Sequence, residues 1–192
     1  MFIRVAAILS LIALTVVYTF WQKKSLESQL VPSSKSESVL AKMPSAVFET
    51  LEGKSFPLED LYQDGSLKLL VVHYWGTWCA PCEAELPALL KFIDTFKDKP
   101  GVKFLLIAVN DDLMKIQKHL KAQLIPKDAP IVWLLDNNGV HKETFGTIRV
   151  PETYVFSSDK MTLKKYVGPQ EWNKTMFFQT FDEFLQISTH KL

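Results

Sequence analysis

The sequence predicts an α/β fold: a mixed central sheet flanked by helices. Three observations point to it. Apolar runs too continuous for a half-exposed strand alternate with segments whose apolar residues recur at about 3.6-residue spacing. The chain closes on two short strands and a helix, not on another strand–helix crossover. Its 192 residues, 47% of them hydrophobic, are enough for one domain with a real core and an appendage.

The appendage comes first. Residues 5–21, VAAILSLIALTVVYTFW, hold no charge, and the next one is Lys23. As a helix rising ~1.5 Å per residue the run spans ~26 Å, close to the apolar thickness of a bilayer. A cleaved signal peptide is the rival reading. It would end in small residues, whereas this run ends in Tyr18, Thr19, Phe20 and Trp21. Residues 1–21 are therefore read as a retained membrane anchor with Tyr18 and Trp21 at the interface. Arg4 and the terminal amine stand against Lys23 and Lys24, so charge alone does not orient it. Residues 22–45, rich in Ser, Lys and Glu, read as a flexible linker, and 46–192 as the folded domain.

In the domain, AVFETLEGKSFPL predicts an N-terminal β-hairpin turning at Glu52-Gly53. LKLLVVHYW (67–75) and VKFLLIAVN (102–110) are unbroken apolar runs, which predicts buried central strands. Between them Leu86, Leu89, Leu90, Ile93 and Phe96 fall at helical spacing. Residues 111–124 predict a second helix and 131–136 a strand that ends at the NNG turn. Residues 152–157 and 162–167 predict a hairpin across Ser158-Asp159-Lys160, and 172–187 a last helix.

The chemistry concentrates in WGTWCAPCEAELP, residues 75–87, which contains both cysteines, Cys79 and Cys82. A structural bridge between them would close a very short loop, the least stabilising kind. A structural zinc site needs about four ligands. His73, His119, His141 and His190 are scattered without ligand spacing. These arguments weigh against a staple and a metal site, and the balance falls on thiol–disulfide chemistry. The stretch lies where a buried strand hands over to a helix. Cys79 is therefore expected at a helix N-terminus, where unpaired N–H groups and the dipole stabilise a thiolate. Cys82, one turn inside, is less exposed. The roles follow: Cys79 attacks a disulfide and Cys82 resolves the mixed disulfide. Pro81 suits the first helical turn.

WGTWCAPC after an apolar strand resembles the active site of thioredoxins. Pro87 matches that fold's kink proline, and VPET (150–153) resembles the loop in which a cis-proline faces the dithiol. WCAPCEAELP and GTIRVPETYVF narrow the resemblance to the TlpA/ResA-type membrane-anchored thiol-disulfide oxidoreductases. The resemblance covers about residues 46–188. It implies a thioredoxin-like fold with an inserted helix–strand element, accommodated between Cys82 and Pro151. It also implies a single-pass protein of the cytoplasmic membrane whose domain faces the extracytoplasmic, periplasmic side.

Glu85 shares a helix face with Cys82. The branch has a functional glutamate at this position, so Glu85 is read as handling a proton for Cys82, against the alternative of a solvated surface residue. His73 departs from the family: thioredoxins have a buried aspartate there, and this branch often asparagine. It is read as a core histidine that shapes the site, the other reading being a second base. Trp75 and Trp78 are expected to pack and shape the site. The Val150-Pro151 bond is expected to be cis, with the loop against the Cys79 sulfur and the Val150 backbone offered to an extended substrate.

The leading expectation is a protein thiol–disulfide oxidoreductase working as a reductase. It would draw electrons from a transmembrane thiol reductant and pass them to an oxidised protein such as apocytochrome c, in cytochrome c maturation. It would need no cofactor beyond the redox-active Cys79–Cys82 pair, and no metal. The alternatives are an oxidase or isomerase of the same fold, or a copper-binding assembly factor using the two thiolates and a histidine. A net charge of +1 without a basic stripe argues against nucleic acid.

Overall fold

The computed structural model describes residues 40–189, together with Thr15 and Tyr18. The expected anchor, apart from Thr15 and Tyr18, and most of the expected linker lie outside the described residues. Among the described residues no helix is long and apolar enough to cross a membrane.

Seven strands form one mixed sheet: β1 (Val47–Thr50), β2 (Ser55–Pro57), β3 (Leu69–Trp75), β4 (Val102–Val109), β5 (Ile131–Asp136), β6 (Glu152–Ser157) and β7 (Thr162–Val167). Their order is β2-β1-β5-β4-β3-β6-β7. The unbroken apolar runs became the centre, because β3, β4 and β6 are covered on both faces. β3 and β4 pair in parallel, which requires a crossover, and helix α1 (Ala80–Asp94) supplies it. Helix α2 (Leu113–Lys121) leads from β4 to β5, which is parallel to β4 and takes β1 antiparallel on its other side. α2 and β5 are the expected insertion. A short helix, α3 (Val140–Thr144), precedes β6, and α4 (Thr175–Thr189) closes the domain.

Side chains alternate across the central strands and build two cores. On the face under α1 and α4, Val71, Trp75, Phe104 and Leu106 pack with Cys82, Leu86, Phe92 and Phe181. On the other, Leu70, Val72, Tyr74 and Ile107 pack with Leu58, Phe145 and Phe156. His73 interrupts the apolar run of β3, and alternation sends it to the α1 face with Val71 and Trp75.

The structure differs from the sequence reading in local ways. Residues 40–45, read as the end of the linker, are packed on the domain. Met43 is buried, its N–H donates to Lys160 O (2.8 Å), and Lys42 forms a bridge with Met161. α2 begins later than expected because Asp112 caps it, accepting from Lys115 N at 3.0 Å. α4 begins at Thr175 and leaves Trp172 in the preceding segment. The 3-10 helix Leu58–Tyr62 and the five-residue α3 are too short to carry a periodic signal.

Candidate active site

Three backbone segments meet at the C-terminal end of β3. The first is Gly76-Thr77-Trp78, which carries the chain from β3 to Cys79. It is pinned to the end of β4. Asp111 accepts from Thr77 N (2.5 Å) and from Thr77 Oγ1 (2.8 Å), and Trp78 Nε1 donates to Val109 O (3.0 Å). Gly76 permits this: a Cβ there would sit 2.7 Å from Trp78 Nε1. The Trp78 ring remains 58% exposed beside the cysteines, whereas Trp75 is buried against Trp133 and His119.

Cys79 is the N-cap of α1, and its Sγ accepts from Cys82 N at 3.3 Å. The two sulfurs are joined in a disulfide. Cys79 is 5% exposed and Cys82 1%, so any partner meets Cys79 first. Pro81 lies in the first turn, where a missing N–H costs nothing. Once the bond is reduced, the free N–H groups and dipole of this helix end favour a Cys79 thiolate.

The second segment is the approach to β6. The Val150-Pro151 bond is cis, and Val150 O lies 3.8 Å from Cys79 Sγ. A buried polar group holds this loop from behind. Lys165 Nζ reaches Glu152 Oε2 (3.2 Å) and Gly146 O (3.2 Å), and Tyr154 OH reaches Phe145 O (2.9 Å). Glu152 is fully buried and directly follows Pro151.

The third segment carries Gln170 and Trp172, ahead of α4. Gln170 N (2.7 Å) and Trp172 Nε1 (3.0 Å) both donate to Glu85 Oε2. Trp172 is itself fixed in an aromatic cluster with Phe92 and Phe177, ring centroids 5.5 and 4.7 Å away. Glu85 is buried, not a solvated helix residue. Its Oε1 faces His73 Nε2 at 3.7 Å, and His73 Nδ1 lies 2.9 Å from Thr153 Oγ1. Burial pushes the Glu85 carboxyl up to about 7, against the opposing pull of the two N–H donors. Burial pushes the His73 imidazole down to about 3. Near neutral pH the site thus pairs an uncharged imidazole with a carboxyl poised between its two forms.

Cys79, Cys82, Pro81, Trp78, Val150 and Pro151 surround the disulfide, while Glu85 and His73 face each other in the core under α1. Sequence reasoning missed Asp111, Thr153, Glu152 and Trp172. Only Asp111 had a local signal, as an acidic residue just past a strand. Glu83, also on α1, meets His119 of α2 at 3.4 Å. Among the described residues no three His, Cys, Asp or Glu side chains gather into a metal-binding group.

The chain is similar in sequence and fold to known proteins. A family model described as Redoxin matches residues 39–180. A curated thiol-disulfide oxidoreductase ResA of Halalkalibacterium halodurans is 24% identical over 94% of this chain and 91% of its own. ResA of Bacillus thuringiensis subsp. konkukian is 27% identical over 66% of this chain and 68% of its own. Among solved structures, a putative thiol:disulfide interchange protein DsbE from Chlorobium tepidum superposes with a TM-score of 0.63 at 19% identity, covering 76% of this chain and 96% of that one. StoA from Bacillus subtilis gives 0.54 at 19% identity, over 73% and 96%.

Proposed function

Because the chain belongs to the Redoxin family and is a protein thiol–disulfide oxidoreductase, we propose that it works as a reductase of protein disulfides on the extracytoplasmic side of the membrane. The observation that carries this reading is Cys79 at the cap of α1, under the Val150 carbonyl, with Cys82 one turn inside.

In the reduced enzyme the Cys79 thiolate attacks one sulfur of a substrate disulfide. A mixed disulfide forms, and the other substrate sulfur leaves with the electron pair and takes a proton. Cys82 then loses its proton and attacks Cys79 Sγ. The Cys79–Cys82 disulfide forms, the bond to substrate breaks, and the second substrate sulfur leaves with the electron pair and takes a proton from water. Two electrons and two protons have passed to the substrate. Glu85 is the group that accepts the Cys82 proton, since it stands one turn further along the same helix face in a site otherwise closed to water. Electrons return from a transmembrane dithiol carrier, and the pair itself is the only redox group. Trp78 and the Val150 backbone form the face that an extended substrate meets.

The proposed substrate is an oxidised apoprotein such as apocytochrome c, in cytochrome c maturation. Residues 1–21 anchor the chain, an assignment supported by their uncharged apolar run. Measuring the reduction potential of the Cys79–Cys82 pair tests the direction. A value near the ~−270 mV of thioredoxin supports the reductase, and one near the ~−120 mV of DsbA overturns it in favour of an oxidase.

A further inference from the structure

We propose that His73 is a positioning residue for proton transfer: it is the one partner that lets Glu85 gain and lose its proton inside the core without stranding a buried polar atom. The inference rests on the dithiol reaction described above.

The two oxygens of Glu85 are not equivalent. Oε2 already receives two N–H donors, from Gln170 and Trp172. An oxygen that accepts two N–H bonds is a poor place for a proton. Oε1 is buried and has no hydrogen-bond partner. The proton that Glu85 takes therefore sits on Oε1, and among the described residues the polar group recorded facing it is His73 Nε2, at 3.7 Å. That gap is slightly beyond a hydrogen bond, and a small side-chain rotation closes it.

A neutral imidazole suits both states of such a carboxyl, because it has one donor and one acceptor nitrogen. With Glu85 ionised, Nε2–H donates to Oε1 and Nδ1 accepts from the Thr153 hydroxyl. With Glu85 protonated, the imidazole takes its other neutral tautomer: Nε2 has given up its proton and accepts from Oε1–H, Nδ1 has gained one and donates to Thr153 Oγ1, so the ring's proton count is unchanged and the one net proton is on Glu85. Thr153, 2.9 Å from Nδ1, can serve in either direction because a hydroxyl both donates and accepts. An aliphatic side chain at position 73 serves neither state. It leaves the carboxylate the worse off, since burying an unpaired charge costs more than burying an unpaired acid.

The other groups around the pair leave this relay undisturbed. Cys82 on α1 is the proton's source. Tyr166 on β7 lies opposite Thr153 and against Trp172, and burial raises its phenol, so it stays neutral. Glu171, between Gln170 and Trp172, is turned to solvent and paired with Lys174. Glu83, earlier on α1, pairs with His119.

The test follows the resolution step in the full-length protein: decay of a mixed disulfide between Cys79 and a small aromatic disulfide, from pH 5 to 9. A ¹³C label on Glu85 reports its ionisation directly in the same variants. His73→Leu is expected to move both inflections up by about one pH unit and to slow resolution at pH 7 roughly tenfold. His73→Gln, whose amide can turn to donate or accept, is expected to restore most of the loss. On a Glu85→Gln background His73→Leu is expected to add no further change in the pH profile. The proposal is overturned if His73→Leu leaves the Glu85 inflection in place, or if it slows resolution equally with and without Glu85. If His73→Leu does not fold, the same comparison is made with Thr153→Val, which removes the partner of Nδ1 and is expected to shift the Glu85 inflection. A wild-type protein that exchanges no disulfides would remove the functional reading, while the Glu85 titration would still decide the role of His73.

Discussion

Val150 O stands 3.8 Å from Cys79 Sγ, and Cys79 is the more exposed of the two cysteines. An incoming sulfur therefore meets Cys79 beside a backbone acceptor, while Cys82 stays behind it. Cys82→Ser is expected to accumulate a mixed disulfide through Cys79, at least about tenfold above Cys79→Ser, because attack survives and resolution does not. Mass spectrometry of the trapped adducts reads the ratio. Equal trapping by both variants contradicts the division of roles.

Asp111 organises the approach to Cys79 through three donors: Thr77 N, Thr77 Oγ1 and Asp112 N. Asp111→Ala strands the Thr77 N–H in a partly buried loop. The expected loss is ~1–3 kcal/mol in urea unfolding, with a slower first exchange step. Thr77→Val removes only the hydroxyl contact and is expected to cost less. A loss below about 0.5 kcal/mol for Asp111→Ala would show that the loop holds itself.

The buried pair gives the oxidised protein a defined pH window. The folded Glu85 carboxyl titrates at about 7 against an ordinary 4.5. Its contribution is complete below pH 4.5 and is lost as pH rises through 7. The folded His73 imidazole titrates at about 3 against an ordinary 6.5. Its contribution is present above pH 6.5 and is lost as pH falls towards 3. Each is on the order of a few kcal/mol. Between pH 4.5 and 6.5 the two trends oppose each other. Glu85→Gln is expected to flatten the loss of stability between pH 4.5 and 7, and His73→Gln the loss between pH 6.5 and 3. Chemical denaturation across pH checks both, and unchanged slopes in both variants would refute the assignment.

The N-terminal run leads to a fractionation experiment. The full-length protein is expected in the membrane pellet, resistant to high salt and released by detergent, with Met1 or its immediate neighbour at the mature N-terminus. Recovery of a soluble protein starting beyond residue 21 would show that the segment is cleaved.

The α/β fold, the central position of β3 and β4, the two β-hairpins, and Cys79 at the cap of α1 with Cys82 a turn inside are all legible in the residues alone. All of these depend on local pattern: continuous apolar runs, helical spacing, a proline in a first turn. The sequence also marked Val150-Pro151 and Glu85, through their place in motifs. Tertiary structure decided what those residues meet. Trp172 donates to Glu85 across 87 residues of chain, Thr153 reaches His73 across 80, and Asp111 holds Thr77 across 34. Sheet register sets the second of these contacts, since His73 and Thr153 are cross-strand partners in β3 and β6. The packing of the segment before α4 against α1 sets the first. Neither leaves a periodic trace, because a hydrogen-bond partner is chosen by position in space and not by spacing along the chain. For that reason a histidine that reads locally as core filler became, once folded, the neighbour of a buried carboxyl on the dithiol's own helix.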